Sequence, residues 1–276
     1  MKYLEGIPQP LYKYRTWNAP NDENKFGQRL LTHNQVYFAS PDEFNDPFDG
    51  ALPFRYKESE MTPDNIFRKL REMTIRSNPH LPESEIQQIC YTRQSTGVFE
   101  NGQYWKENYP YFKNNINTRF GILSLSQKRD DILMWSHYAD SHRGYCVGLD
   151  KVLLYERCQG VLGRVNYSDE FPEIGLFDEN PFSLTILTTT KSTKWEYEDE
   201  YRIVRIDGAK QVINLPNEAI LEIILGCNMP EADKVEIHSI AKKKFPHARV
   251  YESQINLHSF KLDLLPILNP QAPSLP

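Results

Sequence analysis

"WEYEDEYRIV", residues 195–204, is the stretch on which the fold turns. Glu196, Glu198 and Glu200 share one parity; Trp195, Tyr197, Asp199 and Tyr201 share the other. Side chains on a strand alternate between faces, so a strand over 197–206 would carry its glutamates in a row. One explanation is an edge strand charged against aggregation. Ile203 and Val204 follow at once, however, with no Pro or Gly between, and lead the strand into a core. A carboxylate at the mouth of a sheet can then act as a general base or stabilise a developing cation.

Working outward, other segments share the period of two. "PLYKYRTW" (10–17), "QVYFASP" (35–41), "FGILSLSQ" (120–127), "YCVGLD" (145–150), "GRVNYSD" (163–169), "AILEIILGC" and "ARVYESQI" read as strands. Helical spacing marks 22–34, a block over 63–118 opened by Thr62-Pro63, the segment 129–144 with an Asp cap and a terminating Gly144, and "EADKVEIHSIAKKKF". "FSLTILTTTK" fits a helix or a strand. The implied class is α+β: a mixed, mainly antiparallel core sheet around a cleft, in one domain over 1–265 with a helical insertion at about 55–118. The segments 10–16, 120–127, 145–150 and 197–206 are expected in that one sheet. Residues 266–276 read as a Pro-rich tail.

Composition bounds the function classes. The chain has 276 residues, of which 39% are hydrophobic and 12% aromatic, enough for a substantial core. A net charge of -5 offers no global basic field for nucleic acid, although a local patch would suffice. No apolar run approaches the ~18 residues of a membrane helix, and no signal-peptide pattern opens the chain. Cys90, Cys146, Cys158 and Cys227 form no CxxC pair, which speaks against a zinc knuckle. A reducing cytoplasmic setting without a membrane partner is the expectation.

Several constellations could carry chemistry. "DEFNDPFDG" (42–50) gathers Asn45, Asp46 and Asp49 in turn chemistry, as a local Asx-turn or as a loop touching ligand. "MWSHYADSHRG" offers His137 and Tyr138 as polar contacts; its two histidines lie five apart and do not share a helix face as a metal pair would. "LSLS" puts Ser124 and Ser126 on one strand face, with no nucleophile elbow around either. "LYKYR" puts Lys13 and Arg15 on one face and Tyr12 and Tyr14 on the other.

Taken in order, "LYKYR", "VYFASPDEFNDPFDG", "ILSLS…DDILMWSHYADSHRGYCVGLD" and "KWEYEDEYRI" resemble the bacterial and phage family called domain of unknown function 2971. The resemblance covers roughly 10–50 and 120–206, and the family label brings no chemistry with it. A fainter resemblance does. Arginine-class ADP-ribosyltransferases are similar in the order of a basic residue on a first strand, Ser-x-Ser on a middle strand, and Glu-x-Glu on a later one. Arg15, Ser124-x-Ser126 and Glu198-x-Glu200 follow that order. The chain departs from the pattern in lacking a Thr between the serines, in its long insertion after the first strand, and in Arg202.

That second resemblance implies NAD as substrate, no metal, and cleavage of the nicotinamide–ribose bond through an oxocarbenium-like state. Glu200 would stabilise the cation, Glu198 would activate a protein or nucleic-acid acceptor or water, and Ser124 would brace Glu200. Arg15 with Lys13 would hold a phosphate, Ser126 would border the cofactor, and Tyr14 or Trp195 would stack on nicotinamide. A toxin or phage-defence effector is the setting such an activity suggests. Two alternatives stay open: a nucleotide-binding or protein-interaction module without turnover, and a metal-dependent nuclease or phosphodiesterase built on Asp46, Asp49, His137 and Glu198.

Overall fold

Alternation along Leu11–Arg15 sets the first strand, β1: Leu11 is buried on one face, Tyr12 and Tyr14 on the other. The computed structural model describes residues 4–18, 26–99, 102–178 and 180–267. Helix α1 (Phe26–Thr32) and strand β2 (Gln35–Phe38) follow, then the short β3 (Arg55–Tyr56). Three helices form the excursion: α2 (Pro63–Ser77), α3 (Glu83–Ser95) and α4 (Gln103–Arg119). Thr62 caps α2 by accepting from the Asn65 amide at 3.3 Å, and Pro63 takes the first helical position, where its missing N–H costs nothing. Ile66, Leu70, Ile86, Cys90 and Phe99 give the excursion a small core of its own.

The chain then returns through β4 (Phe120–Ser126), α5 (Ile132–Tyr138), β5 (Tyr145–Leu149), α6 (Lys151–Cys158), β6 (Val161–Arg164), β7 (Asn166–Tyr167) and β8 (Glu173–Ile174). After α7 (Thr185–Thr189) and β9 (Thr190–Lys191) come β10 (Glu200–Ile206), β11 (Gln211–Asn214), β12 (Ile220–Leu225), α8 (Glu231–Lys244), β13 (Arg249–Ile255) and β14 (Leu262–Ile267). Eight strands make one sheet in the order β14-β13-β12-β5-β1-β4-β10-β6. Within that sheet only the β12–β13 pair is parallel, bridged by α8 as a parallel connection requires. The expected α+β class and mainly antiparallel sheet are therefore present, with the segments around 11–15, 120–126, 145–149 and 200–206 adjacent in it.

Strand parity divides the core. On one face Leu11, Leu123, Leu125, Val147, Leu149, Tyr201 and Ile203 pack with Leu30 and Leu31 of α1, Leu154 of α6 and Ile237 of α8. On the other, Tyr12, Tyr14, Cys146 and Ile224 meet Met134 and Trp135 of α5. Each such side chain, taken fully out of water, contributes about 1.5–3 kcal/mol. No helix among the described residues is long and apolar enough to cross a membrane.

Four expectations need correction. The helix over 129–144 is confined to Ile132–Tyr138, because Asp140, Ser141 and His142 take left-handed backbone angles that end it early. Gly144 closes that turn; a Cβ there would lie 2.2 Å from the Arg15 carbonyl oxygen. The strand over 163–169 is two short pieces, β6 and β7. Leu262–Ile267 extends the sheet as β14, so Pro266 belongs to a strand; 268–276 lie outside the described residues.

The fourth correction concerns the glutamate row. Thr193–Glu198 is a 3-10 turn capped by Ser192, and Asp199 has φ of 44°. Only Glu200 opens the strand, and Glu196 and Glu198 do not share its ladder. The period of two in "EYEDE" imitated a strand. The turn is pinned by side chains remote in sequence: Ser126 Oγ donates to the Glu198 carbonyl at 2.6 Å, and Lys128 Nζ to that of Tyr197 at 2.7 Å.

Candidate functional site

The sheet carries a split. β1 pairs with β5 along five residues and β4 with β10 along seven, yet β1 and β4 meet at one pair, Tyr12 with Ser126. Further along β4, Ile122 exchanges backbone bonds with Ala39, just after β2. Ser124 lies between these points with the same orientation, so its carbonyl faces the gap. Lys13 Nζ fills the missing ladder partner, donating to that carbonyl at 2.6 Å.

A cleft of about 490 Å³ opens there. Its lining brings together most of the residues the sequence singled out: Lys13, Tyr14 and Arg15 from β1, Ser124 and Ser126 from β4, Asn45 and Asp49 from the turn, His137 and Tyr138 from α5, and Glu198 and Glu200. Asp46 and Trp195 are not among the lining residues. Asp46 accepts from the Phe48 amide at 3.0 Å, an Asx-turn that shapes the loop. The Trp195 ring instead covers the Lys191 ammonium at 4.8 Å.

Five charged side chains are buried against the cleft. The Arg202 guanidinium grips Glu200 (Nε to Oε1, 2.7 Å; Nη2 to Oε2, 2.9 Å) and Asp49 (Nη1 to Oδ1, 2.6 Å; Nη2 to Oδ2, 2.7 Å). Nη1 also donates to the Thr188 carbonyl at 2.6 Å. Lys191 Nζ bonds Glu198 at 2.5 Å and lies 3.3 Å from both Glu200 and Asp49. Tyr138 donates its hydroxyl to the free oxygen of Glu198 at 2.5 Å. The Asp49 of the "FNDPFD" turn is thus an anchor that ties its loop to the central sheet.

The two glutamates are pushed in opposite directions. Burial disfavours the ionised form of both. For Glu200, Arg202 and Lys191 outweigh it and hold the carboxyl down at about 2. For Glu198 burial wins: with Glu200 nearby it overcomes Lys191 and raises the pKa. Three carboxylates against two cations make Glu198 the place where a proton relieves the imbalance. Burial, with Glu198 beside it, also raises the Tyr138 hydroxyl, which stays the donor of that bond. Lys13 is pulled well below the ordinary lysine value by desolvation and by the Arg15 guanidinium.

Two of the expected cofactor contacts have other employment. Ser126 is 1% exposed, and its hydroxyl is used by the Glu198 carbonyl and the Lys128 amide. Tyr14 donates to the Lys128 carbonyl at 2.9 Å and packs edge-on against Trp135, with ring centroids 5.3 Å apart. Among the described residues no group of three or more His, Cys, Asp or Glu side chains is placed to hold a metal ion, so Asp46, Asp49, His137 and Glu198 make no ligand set. The residue the sequence reading missed is Lys191. It lies on the two-residue strand β9 in "TTTKSTK", where no period or motif sets it apart.

Fold and site together define a split-sheet α+β protein with a buried acid–base cluster at the mouth of the split. Residues 134–203 match the model of a family described as "Protein of unknown function (DUF2971)". It is the family the motifs resemble, and the chain carries its signature over that segment. No curated protein and no solved structure matches the chain. The matched segment begins in "MWSHYA" and ends in "EYRI", so it contains Tyr138, Lys191, Glu198, Glu200 and Arg202.

Proposed function

We propose that the cleft binds an NAD-like dinucleotide and cleaves its nicotinamide–ribose bond, as an ADP-ribosyltransferase or an NAD glycohydrolase. The observation that carries this reading is the pair of adjacent carboxylates, Glu198 and Glu200, whose surroundings drive their pKa values apart within one cleft. Such a pair divides naturally into an acid–base group and a fixed charge. Glu200, held ionised by Arg202 and Lys191, supplies the negative field toward which an oxocarbenium develops. Glu198, with its raised pKa, takes the proton of the attacking nucleophile.

The electron pair of the C–N bond leaves with nicotinamide. The oxygen of water, or the nucleophile of an acceptor, bonds to the ribose carbon and gives its proton to Glu198. Arg15 is the cation on the opposite wall suited to a ligand phosphate. The test is incubation with NAD, with nicotinamide release followed by chromatography, with and without cell lysate. Release without lysate marks a glycohydrolase. Transfer of label to a lysate component marks a transferase, and the labelled acceptor would decide whether a toxin or phage-defence setting applies.

One observation favours a second reading. Both Glu200 oxygens already accept from Arg202 and one also faces Lys191, as expected of a binding module without turnover. NAD binding by calorimetry without nicotinamide release would select that reading. Absence of both binding and release would remove the dinucleotide altogether.

A further inference from the structure

We propose that Lys13 is a nucleophilic amine of the cleft, placed to form a Schiff base with the carbonyl carbon of a phosphorylated aldehyde or ketone. The inference goes beyond the glycosyl-transfer reading and does not depend on it. The cleft holds two lysines in opposite situations. Lys191 is locked among Asp49, Glu198 and Glu200. Lys13 forms no ion pair among the described residues; its hydrogen bond goes to a backbone carbonyl, that of Ser124. A neutral amine can still donate that bond, and unlike an ammonium it keeps a lone pair.

The charges around Lys13 come from every wall. Arg15 lies on its own strand, Glu200 and Arg202 on β10, and Glu198 on the turn before β10. Desolvation and the two guanidiniums favour the neutral form, and the carboxylates, already engaged by Arg202 and Lys191, oppose it less. A desolvated lysine beside other cations is how proteins activate an amine toward carbonyls. The Arg15 guanidinium, which lines the cleft, attracts a phosphate on the incoming ligand, which is why the class is a phosphorylated carbonyl compound.

The step balances without a co-reactant. The amine lone pair adds to the carbonyl carbon, and the carbonyl oxygen takes a proton to give a carbinolamine. Loss of that oxygen as water leaves the C=N bond to Nζ.

Pyridoxal 5′-phosphate is a suitable probe, with borohydride to trap the imine and peptide mass spectrometry to map it. At neutral pH the Lys13 peptide should be labelled ahead of Lys191 and of surface lysines such as Lys242, by about tenfold for each unit its pKa is lowered. Lys13→Arg should abolish that adduct with the circular dichroism spectrum unchanged. In the unaltered protein, the pH midpoint of Lys13 labelling should lie below that of the surface lysines, which tests the proposal even if the variant does not fold. Labelling spread over surface lysines with Lys13 untouched, or a Lys13 midpoint equal to theirs, would overturn it. Labelling at Lys13 in a protein that leaves NAD intact would uphold this inference and remove the glycosyl-transfer reading alone.

Discussion

Arg202→Leu removes the hub of the buried cluster, and its effect can be worked from the geometry. The guanidinium donates five hydrogen bonds: two to Glu200, two to Asp49 and one to the Thr188 carbonyl. Without it two buried carboxylates keep Lys191 as their shared cation, 3.3 Å from each. Breaking a buried pair by deleting one partner typically costs about 3–5 kcal/mol. The pKa of Glu200 gives an independent gauge. A carboxyl lowered from 4.5 to about 2 on folding contributes roughly 3 kcal/mol at neutral pH.

The sign follows from the direction of the shift. Because the folded pKa is depressed, the contribution is fully present above the unfolded value and fades as pH falls toward 2. At about pH 3.5 it should have shrunk to roughly 2 kcal/mol. Urea unfolding followed by tryptophan fluorescence at about pH 7 and 3.5 measures both gaps. The neutral-pH loss should also lower Tm by about 6–14 °C for a chain of this size. A variant within about 1 kcal/mol of wild type, or a gap that widens in acid, would refute the claim that Arg202 is what keeps Glu200 ionised.

Other outcomes are expected from the same cluster. Glu198→Gln should lower NAD turnover by about a hundredfold, equivalent to about 2.7 kcal/mol of barrier, while Glu196→Gln, exposed on the same turn, should leave it near wild type. Asp49→Ala should cost about 3 kcal/mol in chemical denaturation, and Asp46→Ala, which loses only an Asx-turn bond, about 1 kcal/mol. Gly144→Ala should give little folded protein on expression, since its Cβ would meet the Arg15 carbonyl oxygen at 2.2 Å, well inside van der Waals contact.

Much of this arrangement could be read from the residues. The strands of the central sheet announce themselves by apolar alternation, as in "LYKYR" and "ILSLS", because one face of each must be covered. The convergence of β1, β4 and the Glu198–Glu200 region followed from motif order. What failed is equally instructive. "WEYEDE" alternates as a strand does, but it folds into a 3-10 turn pinned by Ser126, Lys128 and Tyr138, and partners 60–72 residues away leave no local periodicity. Asp49 stood out as turn chemistry, but its ion pair with Arg202, 153 residues away, did not, and Lys191 was hidden on a two-residue strand. The early end of α5 rests on three successive left-handed residues, none of them glycine, which local propensity does not anticipate.

The single ladder contact between β1 and β4 has a mechanical consequence. The two parts of the sheet, β14 to β1 and β4 to β6, meet along a seam fastened at Tyr12–Ser126 and by Lys13 Nζ on the Ser124 carbonyl. Main-chain bonds at the first fastening are insensitive to what fills the cleft; the second is a side chain that a ligand can claim for itself. A ligand that draws Lys13 away therefore unbuttons one of the stitches along the seam. Chemical occupancy of the cleft and the angle between the half-sheets become one variable, and backbone amides along that seam are where an occupied cleft would be felt as a change in stiffness.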